Sequence, residues 1–200
     1  RRSGGHSFVT PQPEVVDGMF AVGFLFLGLC LLAETIVGRE VWRDRSWRAY
    51  LWPGTAFLMG ILMWPVMVFF TSSAIHMLAH SVWAQAMMVA GAAQLGLVRG
   101  RLRSPLWELT VPVAFAVSGA AFLIHETNPW LFSRAAFLHH ALGWTAFVGA
   151  LITLGLFARP RSPVFNAGFA MIFLAFAALL FCDRNVAPIF GHLSPLAGER

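Results

Sequence analysis

The chain has 200 residues, 58% of them hydrophobic and only 12% charged, with a mean hydropathy of +0.70. A soluble domain carries about 25% charged residues, so this composition excludes one and indicates an integral membrane protein. The net charge of +5 comes from 14 arginines without a single lysine. They sit in short loops between apolar runs, the pattern that orients a membrane protein, and not in a patch suited to nucleic acid.

Residues 1–17 are polar, do not read as a cleavable signal, and are expected to form a tail ahead of the first helix. Six apolar segments follow, near 18–37, 53–70, 74–98, 106–125, 135–157 and 164–182. Each approaches the roughly 20 residues a helix needs to cross a bilayer. Pro53 and Pro163 open their spans, a position where the missing N–H costs little. Pro65 and Pro112 fall inside spans and predict kinks. Glycines within the spans, among them Gly28, Gly60, Gly91, Gly96, Gly119, Gly143, Gly149 and Gly168, predict close helix packing. Residues 183–200 are expected to be a second tail. The predicted fold is all-α: one polytopic bundle of six transmembrane helices over 18–182.

Loops 38–52, 99–105 and 158–163 hold nine of the arginines, and the opposite side holds five. The positive-inside rule puts the nine in the cytoplasm and both termini outside, in a bacterial plasma membrane facing the periplasm or exterior. In the first of these loops, Trp42, Trp47, Tyr50 and Trp52 alternate with arginines, which suits an interfacial anchor at the headgroups. Cys30 and Cys182 fall toward opposite faces and are not expected to pair. Glu34 is read as snorkelling to the interface from the inner end of the first span, with a proton or ion group as the alternative. Glu108 suits the N-terminus of the fourth span.

On this topology all seven histidines fall on the outer side. His6 and His192 lie in the tails. His76 and His80, spaced i, i+4, share one face of the third span, with Trp83, Met87 and Gln94 further down the same stripe. Met87 and Met88 read as packing residues. His125 and Glu126 close the fourth span and Arg134 follows in the outer loop. His139 and His140 open the fifth span with Trp144 one turn below. Adjacent helical residues point about 100° apart, so only one of that pair is expected to face a shared site. Three consecutive helices thus bring histidine to one leaflet, where ionisable groups are costly and mark a functional site. The structural alternative is a set of ordinary interfacial histidines bonded to loop carbonyls and water.

Imidazole suits copper and zinc, and a thioether or thiolate shifts preference to Cu(I). The leading expectation is a copper site made by His76, His80, His125, His139 or His140, and Glu126. Three alternatives stay open. One is a b-type haem held by His80 and His140 with Arg134 near a propionate. Another is a zinc hydrolase with Glu126 as base. The last is a non-catalytic subunit whose abundant aromatics pack on partners within a larger membrane complex.

The stretch His76-Met77-Leu78-Ala79-His80, then His125 before an outer loop, then His139-His140 with Trp144, resembles the CtaG family of cytochrome c oxidase assembly proteins. The resemblance covers roughly residues 72–157 and implies copper delivery to a respiratory oxidase. A second likeness is to the transmembrane-protein-45 family. It is carried by Pro53-Gly54-Thr55-Ala56-Phe57 with Gly60 and Trp64, by His80-Ser81 with Gly91, and by Gly119 to His125 with Asn128. It implies a multi-helix membrane fold without a defined activity.

Overall fold

The computed structural model describes residues 13–44, 46–70, 74–125 and 134–182, with the side chains of His76, His125 and Arg134 outside that description. The six expected spans are present as α1 (Pro13–Val37), α3 (Leu51–Phe70), α4 (Ala74–Val98), α5 (Thr110–His125), α6 (Arg134–Ala158) and α7 (Pro163–Cys182). Six helices are long and apolar enough to cross a membrane, and no strand occurs among the described residues. An apolar span must satisfy its own backbone in lipid, and the helix is the only isolated segment that does so.

Two boundaries differ from the sequence expectation by more than two residues. Helix α1 begins at Pro13, five residues before the predicted start at 18. Pro13 at the first helical position and the acidic Glu14 and Asp17 behind it suit a helix start, so Asp17 is helical and not in a tail. The fourth span opens with a 3₁₀ turn, Pro105–Leu109, capped by Ser104, whose Oγ accepts the Leu106 N–H at 3.3 Å. Pro112 therefore sits in the first turn of α5, where it breaks no ladder and a kink is not required.

The helices close into a ring. Each packs on its neighbour in chain order, α1 on α3, α3 on α4, and so on to α7, and α7 returns to α1 across the broadest interface. Glycine permits two of these contacts. A Cβ on Gly91 would lie 2.7 Å from the Phe57 nitrogen and 2.8 Å from the Pro53 oxygen of α3. A Cβ on Gly119 would lie 2.9 Å from the Gly143 oxygen of α6. Gly119→Val is accordingly expected to destabilise the α5–α6 pair by about 1–3 kcal/mol. Gly54→Ala, where nothing lies within 4 Å, is expected to be neutral or stabilising. Thermal unfolding of both variants in detergent checks the contrast.

Inside the ring the core is aromatic. Trp83 of α4 meets Phe20 and Phe24 of α1 with centroids 5.3 and 6.2 Å apart. Phe24 stacks on Phe173 and Phe176 of α7, and Phe115 of α5 closes on Phe169, Phe173 and Phe176. Trp52 corrects the interfacial reading. It is buried and packs edge-on against Phe169 at 5.5 Å. The rest of that loop fits an interfacial anchor. It forms α2 (Arg39–Asp44) and a 3₁₀ turn, Ser46–Tyr50, where the Arg48 guanidinium lies 4.9 Å from the Trp42 ring and 5.7 Å from Trp47. Arg99 covers Tyr50 at 5.8 Å. Leu62, Val113, Val148, Leu151, Leu154 and Met171 are exposed on the outer surface of the ring, as lipid-facing positions require. Cys30 and Cys182 are not bonded to each other.

Candidate functional site

The ring has two distinct ends. One carries His80 near the start of α4 and His139 near the start of α6, and is called the histidine end. The other carries the loops with Arg48, Arg99, Arg101, Arg103, Arg159 and Arg161, and is called the arginine end. A cavity lies on the ring axis near each.

The histidine-end cavity is about 60 Å³ and takes side chains from all six spans, including Asp17, Met63, His80, Trp83, Phe122 and His139. At about 10–15 Å³ per water, it has room for a few waters or for a hydrated ion. Helices α4 and α6 do not pack on each other, yet His80 and His139 face one chamber because both project toward the axis. The ring of His139 lies 6.2 Å from Phe122. His140 is not among the lining residues, and Trp144 one turn on is 61% exposed, so that face of α6 turns away from the axis. Of the two adjacent histidines, His139 lines this cavity and His140 does not. The stripe from His80 through Trp83 to Met87 and Gln94 follows the axis as well, for Trp83 is buried, Met87 packs on the core and Gln94 reaches the second cavity.

The backbone of His76 is in the first turn of α4 and that of His125 ends α5. Arg134 opens α6. The placement of Glu126, His6 and His192 lies outside the described residues. Among the described residues no three His, Cys, Asp or Glu side chains form a group that could hold a metal. The described part of the cavity therefore offers two imidazoles, a carboxylate and the Met63 thioether as donors on its walls, not a closed ligand shell. Asp17 and Met63 went unrecognised in the sequence. Pro13 with its following acids was the signal for Asp17. Met63 carried none, because α3 is apolar all round. Met67, one turn beyond, is engaged elsewhere: Ser81 Oγ lies 3.3 Å from its sulfur and 2.7 Å from the Met77 carbonyl.

The arginine-end cavity is about 70 Å³ and also draws on all six spans, with Glu34, Trp52, Gln94, Glu108, Thr153 and Asn166 among its lining. Glu34 lines it together with a surface groove that includes Glu40, Arg161 and Asn166. Snorkelling describes only part of that position, since the residue faces the axis too. Glu108, in the 3₁₀ turn, shares the chamber. That Glu34 and Glu108 line one cavity is invisible in sequence, because the residues are 74 positions apart and share a chamber only through ring closure.

No protein-family model, curated protein or solved structure matches the chain.

Proposed function

We propose that the protein binds a transition-metal ion, copper in the first instance, in the histidine-end cavity, with His80 and His139 as the first two ligands. The observation that carries this reading is the convergence of two histidines from helices that do not touch on one small axial chamber. The donor set fits copper: imidazole suits copper and zinc alike, and a thioether such as Met63 favours Cu(I). His76, His125 and Glu126, whose side chains lie outside the described residues, are the further donors that the sequence brings to this end. A metal there would be a cargo or a resident ion. The chain's own contribution is to hold the imidazoles in place against Trp83 and Phe122 and to exclude bulk water.

The cavity size favours an ion over haem b. A ligand of porphyrin size needs a pocket of roughly 300 Å³ or more, and this one has about 60 Å³. A reduced-minus-oxidised spectrum of the purified protein is expected to show no α-band.

The arginine distribution supports an orientation with the histidine end facing the periplasm of a bacterial plasma membrane. With the likeness to oxidase assembly proteins, that orientation suggests receipt of copper outside and its delivery to a membrane-embedded respiratory complex. The test is equilibrium binding of Cu(I), Cu(II) and Zn(II) to the purified chain. His80→Ala and His139→Ala are each expected to weaken binding at least tenfold, since loss of even an outer-shell partner costs about 10–100-fold. His140→Ala is expected to stay within about twofold, since His140 does not line the cavity. Wild-type protein that binds none of these ions, or an equal loss in all three variants, would overturn the reading.

A further inference from the structure

The two cavities share one axis, and the layer between them contains a buried polar group that the metal reading does not use. On α1 the histidine-end cavity reaches Phe24 and the arginine-end cavity starts at Leu31. At 1.5 Å per residue the separating layer is about 10 Å thick, and Asp17 and Glu34 stand about 26 Å apart along the helix. On α5 the same layer lies between Phe122, which lines one cavity, and Val111, which lines the other. Val111, Phe115, Ser118 and Phe122 follow an i, i+4, i+7, i+11 stripe, the face that α5 turns to the axis. Val113, Val117 and Ile124 on the other faces are exposed.

Ser118 is 5% exposed. A buried hydroxyl in a membrane helix ordinarily donates to the carbonyl one turn back. Buried Thr153 does so, to Gly149 at 2.8 Å, as do the more exposed Thr35 and Ser81, to Leu31 and Met77 at 2.8 and 2.7 Å. Ser118 makes no such bond among the described residues. An unsatisfied buried hydroxyl points to a water or ion that bonds it. It lies between two chambers that each have room for a few waters, which suggests what such a partner would join.

We propose that the axis of the ring is a water-mediated proton pathway, with Ser118 at its narrow middle and Glu34 and Glu108 as the proton-exchanging groups at the arginine end. A proton needs only a transient chain of a few waters. It enters as a protonated water in the histidine-end chamber, passes Ser118 by hydrogen-bond exchange that leaves the hydroxyl unchanged, and is taken up by a carboxylate. Glu34 then releases it to the groove it shares with Glu40 and Arg161. Charge balance comes from a counter-ion moving across the membrane. The pathway requires no titration of His80 or His139, so it stands or falls separately from metal binding.

The test uses the full chain in proteoliposomes under metal-free, chelated conditions. A potassium diffusion potential set with valinomycin drives protons, and a trapped pH dye reads them. Wild type is expected to acidify or alkalinise the lumen, by the sign of the potential, at least tenfold faster than protein-free vesicles. Ser118→Val is expected to reduce that rate at least fivefold, and Ser118→Thr, which restores the hydroxyl, to recover most of it. Glu34→Gln with Glu108→Gln is expected to slow the flux while leaving metal affinity unchanged. Size-exclusion profiles matching wild type establish that each variant is folded. Wild-type flux no greater than that of empty vesicles would overturn the proposal. So would folded Ser118→Val and double-glutamine proteins that conduct at the wild-type rate.

Discussion

Gly91→Leu is expected to prevent α3 and α4 from packing, with a loss of at least ~3 kcal/mol and a drop in melting temperature of roughly 6–12 °C in detergent. The atoms that a Cβ would meet are all backbone: the Phe57 nitrogen at 2.7 Å, the Pro53 oxygen at 2.8 Å and the Phe57 Cα at 2.9 Å. A side-chain neighbour could change rotamer, but a helix backbone can only move as a whole. Moving α3 outward also draws Met63 from the histidine-end cavity and Trp52 from the arginine-end cavity. The loss of stability should therefore be accompanied by loss of metal binding. The association of such helices rests on close van der Waals contact, since lipid is as apolar as the side chains. A variant that melts within about 1 °C of wild type would show that this contact does not hold the pair together.

The double variant His80→Ala/His139→Ala is expected to bind copper more weakly than either single variant. Each single substitution should cost about 10–100-fold, and the double should cost less than the product of the two. Two imidazoles on one ion act as a unit, so the second loss removes less once chelation is already broken. Two independent sites would instead show as one fewer bound ion per chain in each single variant with the remaining affinity unchanged, a result that would rule out a shared ion. Thermal unfolding of the metal-free proteins should be nearly unchanged. That outcome separates a ligand role from a packing role, because truncating a core packing residue would lower the melting temperature with or without metal.

The membrane class and the number and approximate limits of the six spans were legible in the chain. They rest on local quantities: the run length of apolar residues and the placement of proline and arginine. Pro13 shows the weakness of that reading. Hydropathy discounts a polar first turn, so it starts the first span at 18 and leaves Asp17 in a tail. The His80–Trp83–Met87–Gln94 stripe was also legible, since spacing along one helix fixes a face. It could not say what that face meets.

Both cavities depend on partners chosen in three dimensions. His80 meets the chamber of His139, and Glu34 that of Glu108, because α7 returns to α1 and closes the ring. Nothing within any one span records that closure. The choice of His139 over His140 is of the same kind. The sequence allowed one of the two to face inward, and the packing of α6 against α5 and α7 selected which. Met63 and Ser118 show the limit most clearly. Their helices are apolar on every side, so no polar face marks inside from outside, as it would in a water-soluble helix. In lipid the hydrophobic effect does not sort the faces. Fit between side chains does, with glycine setting how closely the backbones approach. By itself the sequence therefore determined that six helices cross a membrane and that histidine and arginine gather at opposite ends. The tertiary structure decided which residues look onto the axis, because that depends on how six similar surfaces pack together.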